Sequence, residues 1–293
     1  MIQQQKSKLL SVSIVGAPNA GKSSLFNKIL KTKLSIITPK VQTTRSIITG
    51  VFNIDNTQLI LFDTPGIFVP KKRLEKSMVR FAWASLVSAD LVAILIDSKY
   101  AIDDTTKDII KKISLIGINF VFLLNKIDVA SSYFVNENEK FLSMNYLNSK
   151  IFKISAKTSK NIEHFISFLL SKAKLEHWLF DKDDITNMPQ KFFASEITRE
   201  QLFLQLDQEL PYNLSVRTES WKEFNNSVVI HQSIIVAKDS IKKIIIGTGG
   251  SKIKSIGIKS RINIEKFLNC KIELFLFVKV NSQYWDLQSD YLT

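Results

Sequence analysis

The sequence predicts an α/β chain in two parts, a doubly wound, mostly parallel sheet followed by a smaller α+β domain. Three observations carry this. Short, mainly apolar runs at 10–15, 59–62, 91–96, 120–124 and 151–154 alternate with stretches of helical periodicity, the pattern of parallel strands covered on both faces. The composition breaks at 181–190, where Asp181, Asp183, Asp184, Asn187 and Pro189 gather. Beyond the break the order changes to helix, two strands, two helices and a strand. With 293 residues, each part is large enough for its own core. We place the first domain at 1–180, a linker at 181–190 and the second domain at 191–293.

Taken in order, 10–15 is a buried strand, 16–23 a Gly-rich turn and 24–30 a helix. The polar, basic stretch 33–47 is a loop. Strands 47–54 and 58–62 are joined by the turn formers Asp55, Asn56 and Thr57. Leu74, Met78, Val79, Ala82 and Leu86 have helical spacing, which puts Met78 in the core. Strand 91–96, helix 107–115, strands 120–124 and 151–154 and a helix over 161–178 complete the first part. The second part reads as helix 194–210, stopped by Pro211, then strands 214–224 and 228–236 about an Asn225-Asn226 turn. Helix 240–246, the interruption Gly247-Thr248-Gly249-Gly250, helix 252–268 and strand 271–280 follow.

The chemistry starts at Gly16-Ala17-Pro18-Asn19-Ala20-Gly21-Lys22-Ser23, a G-x-x-x-x-G-K-S turn between a strand and a helix. Backbone N–H groups there can cradle a polyphosphate, Lys22 can reach its outer oxygens, and the Ser23 hydroxyl can hold Mg²⁺. Asp63-Thr64-Pro65-Gly66 ends a strand, so Asp63 can hold Mg²⁺ through water and Gly66 can offer its N–H to a γ-phosphate. Asn125-Lys126-Ile127-Asp128 ends another. Its aspartate can accept both N1–H and the exocyclic amine of guanine, a donor pair adenine lacks. Ser155-Ala156-Lys157 can support the base from the other side. Four such turns in this order point to GTP rather than ATP. The nucleotide contacts are expected at Gly16, Asn19, Ala20, Gly21, Lys22, Ser23, Ser24, Asp63, Gly66, Asn125, Lys126, Asp128, Ser155, Ala156 and Lys157. Ser23, Asp63 and Thr44 are the expected metal ligands, with Thr43 the close rival of Thr44. Lys22, Thr44 and Gly66 are expected to act on the transferred phosphoryl group. Ile67 stands where many switch proteins carry a water-orienting glutamine, and an isoleucine cannot polarise water, so hydrolysis should be slow. Lys71, Lys72 and Arg73 form either a solvated charge run or part of a phosphate-binding surface.

Charge is unevenly distributed. The net +13 reflects a lysine-rich composition, but residues 238–279 alone hold ten basic against three acidic side chains. Lys242, Lys243, Lys252, Lys254, Lys259 and Arg261 crowd around Gly247, Thr248, Gly249 and Gly250, whose lack of bulk lets a nucleic-acid backbone approach. One cysteine, Cys270, excludes a disulfide framework and reads as a small buried apolar residue. His164, His177 and His231 are dispersed and offer no zinc spacing, His164 reading as a helix-surface side chain. Residues 1–8 are polar, without the apolar core of a secretory signal, and no run approaches membrane-spanning length; we expect a cytoplasmic protein.

These residues together resemble the Era family of bacterial GTPases, which assist assembly of the small ribosomal subunit. The resemblance runs nearly end to end, through 16–23, Gln42-Thr43-Thr44-Arg45, 63–67 with Pro70 and Lys71, 125–128, 155–157, Glu209-Leu210-Pro211-Tyr212 and 244–250 with Lys254, Ile256 and Gly257. It implies a P-loop GTPase using GTP/GDP and Mg²⁺, and a C-terminal type II KH domain. It also implies binding near the 3′ end of 16S rRNA in the 30S subunit, a monomer with no obligate protein partner, and allows peripheral association with the inner membrane. A hydrophobic residue in place of the glutamine is part of the family pattern. Two positions depart from it: Thr248 replaces a lysine after the first glycine of the loop, and Phe68 replaces a histidine. The alternative is a GTP-regulated switch whose C-terminal domain docks a protein rather than RNA.

Overall fold

The computed structural model describes residues 7–41, 43–70, 73–207 and 210–281. The expectations placed on residues 1–6, Gln42, Lys71, Lys72 and Glu209 lie outside the described residues. Two compact units emerge, one formed by 1–35 and 44–187, the other by 36–43 and 188–293.

The first unit runs β1 (Lys8–Val15), α1 (Lys22–Leu30), β2 (Ile48–Ile54), β3 (Thr57–Asp63), α2 (Arg73–Val87), β4 (Leu91–Asp97), α3 (Asp104–Ile116), β5 (Phe120–Asn125), α4 (Ser132–Asn145), β6 (Ile151–Lys153), α5 (Ile162–Lys172) and β7 (Lys174–Leu175). The sheet order is β2-β3-β1-β4-β5-β6, parallel except for β2, which runs antiparallel to β3; β7 pairs with β1. Buried Val92, Ile94, Ile96, Phe122 and Leu124 meet Ala82 and Leu86 of α2 and Ile109, Ile110 and Ile113 of α3 in one core cluster. Each of these side chains larger than Ala82 contributes about 1.5–3 kcal/mol relative to exposure. Because the strands are parallel, their carboxyl ends gather along one edge, where ligands of open α/β sheets bind. Met78 is fully buried and His164 exposed, as their spacing predicts. Cys270, in the second unit, is only partly buried.

The predicted helix over 161–178 is shorter. It ends at Lys172, Ala173 turns extended, and Lys174 and Leu175 pair antiparallel with Leu9 and Lys8. The physical reason is vacant edge: β4 pairs with β1 only from Val12 onward, leaving Lys8 and Leu9 free on that side. Lys174 then donates to Asp90 Oδ1 at 2.7 Å, while Ser11 donates to Asp90 Oδ2 through its N–H at 3.0 Å and its hydroxyl at 2.7 Å. α4 was not legible in the sequence, since its buried face is only Val135, Asn138 and Leu142; Ser131 caps it by accepting from the Phe134 N–H. The polar stretch after 180 lies along β2: Val51 N–H donates to Ile185 O and Thr186 Oγ1 to Thr49 O.

The second unit runs α6 (Gln190–Gln205), a 3₁₀ turn (Leu210–Asn213), β8 (Leu214–Phe224), β9 (Ser227–Val236), α7 (Asp239–Ile246), a second 3₁₀ turn (Thr248–Gly250), α8 (Ser251–Leu268) and β10 (Lys271–Val280). Its sheet is β10-β9-β8, with β9 parallel to β10 and antiparallel to β8. Leu202, Leu206, Leu214, Val216, Ile234, Val236, Ile241, Ile245 and Ile256 form its core. α6 stops at Gln205 rather than 210, because Leu206 turns extended to enter this core. Residues 36–43 are held on α6: Ile37 N–H donates to Glu200 Oε1 at 2.9 Å, Arg199 Nη2 to Thr43 O at 2.7 Å, and Lys40 Nζ to Leu206 O. Arg199 is itself fixed by a buried pair with Glu196. Among the described residues, no helix is long and apolar enough to cross a membrane.

Candidate nucleotide site and glycine loop

The phosphate loop is shaped by what surrounds two of its glycines. A Cβ on Gly16 would meet Leu95 O at 2.3 Å, and one on Gly21, whose φ is +102°, would meet Asn125 Nδ2 at 2.4 Å. Among the described residues no side chain caps the start of α1, whose first N–H groups are therefore left for a ligand. Lys22 Nζ curls over the loop, donating to Ala17 O at 2.9 Å and Gly16 O at 3.2 Å. Burial lowers its pKa to about 8; the Asp63 carboxylate works against this and the Lys126 charge adds to it. A polyphosphate would replace those carbonyls with full negative charge and favour the ammonium form. Gly66 lies against the loop, where an added Cβ would meet Pro18 N at 2.9 Å, and Ile67 N–H donates to Gly16 O at 3.1 Å.

At the foot of the loop three hydroxyls converge on Asp63 Oδ2: Ser35 at 2.6 Å, Ser23 at 2.7 Å and Thr44 at 3.5 Å, with Ser23 Oγ and Thr44 Oγ1 3.0 Å apart. Asp63 Oδ1 is buried and has no hydrogen-bond partner among the described residues. A buried carboxylate with one unsatisfied oxygen, its other oxygen bonded to the Ser23 and Thr44 hydroxyls, is a donor set that fits Mg²⁺, which favours a few oxygen ligands alongside phosphate and water. Burial pushes the Asp63 carboxyl upward, while the hydrogen bonds from Ser23 and Ser35 and the Lys22 charge hold it back. Thr44 is thus brought to this cluster. Thr43 is not, its hydroxyl being turned to Thr38 Oγ1 and Lys40 O, each at 2.9 Å. Ile67 is buried in the core, so its side chain has no access to an attacking water.

The base end is tied to the phosphate end by Asn125. Its Nδ2 donates to Ala20 O at 2.8 Å and its Oδ1 accepts from Ala156 N–H at 2.9 Å. Lys126, at φ +66°, reaches Asn19 O at 2.7 Å and pairs with Asp97 Oδ2 at 2.6 Å. The Ser155 hydroxyl donates to Asp128 Oδ1 at 2.7 Å, leaving the carboxylate exposed for a purine edge. Ser24 is half-buried in the first turn of α1, and Lys157 is exposed. Sequence reasoning missed Ser35, Asn27 and Asp97, which sit in no motif; Asp97 was detectable only as the residue closing a buried strand.

In the second unit, Gly247 adopts φ +73° and a Cβ there would meet Lys252 Cβ at 2.8 Å, whereas added Cβ atoms on Gly249 and Gly250 face open space. Thr248 and Gly249 are exposed between α7 and α8, flanked by exposed Lys243 and Lys254, with Lys242 and Lys252 half-buried. Ile244 of α7 is 43% exposed, an apolar neighbour for an incoming base. Arg261 is not brought to the loop: it lies ten residues along α8, about 15 Å at the helical rise, and pairs with Glu265 at 2.9 Å.

The chain matches the family described as 50S ribosome-binding GTPase over residues 11–126 and the KH domain over 209–283. Among curated proteins it is 54% identical to GTPase Era of Rickettsia canadensis over 289 residues, covering 98% of this chain and 97% of that one. It is 44% identical to GTPase Era of Ehrlichia ruminantium over 274 residues, 93% of this chain and 92% of that one. Among solved structures, an Aquifex aeolicus Era variant bound to GDP and aluminium fluoride superposes with a TM-score of 0.92 at 34% identity, covering 97% of each chain. Era in complex with MgGDPNP and nucleotides 1506–1542 of 16S ribosomal RNA gives the same TM-score and identity, covering 98% of this chain and 97% of that one.

Proposed function

Because the chain belongs to the Era family of GTPases, we propose that it hydrolyses GTP to GDP and phosphate with Mg²⁺ and binds small-subunit ribosomal RNA near its 3′ end, acting in assembly of the 30S subunit. The observation that carries the nucleotide half is Asn125, whose single amide locks the phosphate loop and the purine-reading loop into one site. In this reading the N–H groups of Asn19, Ala20, Gly21, Lys22, Ser23 and Ser24 hold the phosphates, with Gly16 letting the loop turn. Asp128 selects guanine, with Ser155 orienting its carboxylate, Lys126 lining the base and Ala156 and Lys157 closing its far side. Ser23, Thr44 and Asp63 would hold Mg²⁺, which neutralises charge on the phosphate oxygens. Lys22 and the Gly66 N–H stabilise the charge that develops as water adds to the γ-phosphorus and GDP departs. With Ile67 buried, no side chain at that position orients the water, which supports a slow intrinsic rate.

The RNA half rests on the KH loop. Gly247, Thr248, Gly249 and Gly250 admit the backbone, Lys242, Lys243, Lys252 and Lys254 meet its phosphates, and Arg261 acts on a more distant stretch of the strand. In this reading the GTP-binding domain is 1–180, the linker 181–190 and the RNA-binding KH domain 191–293. Family membership further supports a cytoplasmic monomer that associates peripherally with the inner membrane, checked by vesicle flotation and sedimentation.

The test is RNA binding by the full chain with a GTP analogue, against the 3′-end sequence and a scrambled strand, over a range of salt. Preferential, salt-sensitive binding of the 3′-end strand is expected. Retention of a protein ligand with no RNA affinity would favour the protein-docking switch instead.

A further inference from the structure

Asp63 is held by a residue outside the metal set just assigned. Ser35 is 1% exposed and donates to Asp63 Oδ2 at 2.6 Å, the shortest of the three hydroxyl contacts there. Its backbone is clasped on both sides by one amide: Asn27 Oδ1 accepts the N–H of Leu34 at 3.0 Å and of Ser35 at 2.9 Å, and Asn27 Nδ2 donates to Ser35 O at 2.7 Å. Asn27 belongs to α1, the helix that begins at Lys22. Helix α1 therefore carries Lys22 and Ser23 at its start and, one turn later, the residue that fixes Ser35. Were Ser23 and Thr44 to turn their oxygens to a cation, Ser35 would remain as the donor that keeps Asp63 from rotating about its Cβ–Cγ bond. The oxygen left over is Oδ1, which is buried and has no hydrogen-bond partner among the described residues.

We propose that Ser35, clasped by Asn27, is a positioning residue that orients the Asp63 carboxylate and thereby sets the Mg²⁺ affinity of the nucleotide complex. This rests on the reading of Ser23, Thr44 and Asp63 as the Mg²⁺ site. Partners that orient a metal-facing ligand typically govern affinity by roughly 10–100-fold. Removing the Ser35 hydroxyl frees the carboxylate without touching the phosphate loop, so binding that does not depend on Mg²⁺ is preserved.

The experiment follows release of fluorescently labelled GDP from the full chain while MgCl₂ is titrated, with a parallel measurement in EDTA. Ser35→Ala is expected to raise the Mg²⁺ concentration for half-maximal GDP retention about tenfold or more, with EDTA affinity within about twofold of wild type. Ser35→Thr restores the hydroxyl and should recover most of the loss. Asn27→Asp keeps both acceptor bonds but loses the donation to Ser35 O, and should shift the Mg²⁺ midpoint in the same direction by less. An unchanged midpoint in Ser35→Ala, or an equal loss with and without Mg²⁺, overturns the proposal, since either outcome makes Ser35 a packing residue. Wild type and Asp63→Asn test the underlying site separately: if wild-type retention ignores Mg²⁺, or Asp63→Asn matches wild type, the metal reading itself fails and Ser35 falls with it.

Discussion

A carboxylate that reads a purine edge has to be held still before the purine arrives, and Asp128 is held by the Ser155 hydroxyl. Asp128→Asn keeps a partner for Ser155 but presents an amide donor to the guanine donors. GDP affinity should fall about a hundredfold, with xanthine nucleotides gaining, as expected where a recognised donor pair is left unpaired; competitive calorimetry with GDP, XDP and ADP checks this. Gly21→Ala should act more bluntly. Its Cβ would push Asn125 Nδ2 off Ala20 O, at a backbone conformation that alanine rarely adopts, so nucleotide binding and melting temperature should both drop. These positions were legible because motif chemistry is local: a few consecutive residues state what they can bind. Thr44 could be chosen over Thr43 only provisionally, since adjacent hydroxyls in a loop look alike until the chain turns one toward Ser23 and the other toward Thr38. Ser35 and Asn27 were invisible for a related reason. Their role exists only after the loop at 34–35 returns to α1.

At the level of elements, the strands were legible almost to the residue because continuous burial writes itself as an apolar run. β4, for example, is buried over six successive positions. Helices with weak faces were harder. α4 buries three residues in fourteen, too few to mark a period, and α5 was overextended because nothing in its own sequence announces the open edge of β1. That edge also creates a pH dependence. Burial alone would raise the Asp90 carboxyl, but donation from Lys174 and from Ser11 outweighs it and holds the group below the usual carboxylate range. A carboxylate depressed in the fold stabilises it above the unfolded pKa near 4 and loses that contribution as pH falls through the folded value. Asp90→Asn should therefore cost about 1 kcal/mol at pH 7, a difference that shrinks below pH 4; urea unfolding at the two pH values measures it. In the second unit, Thr248→Asp with Gly249→Asp should remove most RNA binding while leaving the circular dichroism unchanged. A Cβ added at Gly249 meets nothing within 4 Å among the described residues, and two carboxylates there repel phosphate.

At the scale of the whole chain, composition divides the sequence at 181–190, whereas the contacts break between 187 and 188 and give 36–43, which composition assigns to the first part, to the second unit. No local signal could have shown this, because the contacts at Glu200, Arg199 and Leu206 lie more than 150 positions downstream of the residues they hold. That separation has a consequence in time. At synthesis rates of about 5–20 residues per second, the segment ending at Thr43 waits on the order of ten to thirty seconds before α6 exists to receive it. A growing chain thus possesses its phosphate loop, and later its complete guanine-reading turns, while the stretch leading into Thr44 still lacks its contacts to Glu200, Arg199 and Leu206. Chains stopped after residue 187 should be cut readily by trypsin after Lys40, whereas the finished chain resists there; equal cleavage of both would mean that α6 gives the segment no protection. The segment ahead of Thr44 should accordingly gain its protection at Lys40 only as the last third of the chain is made.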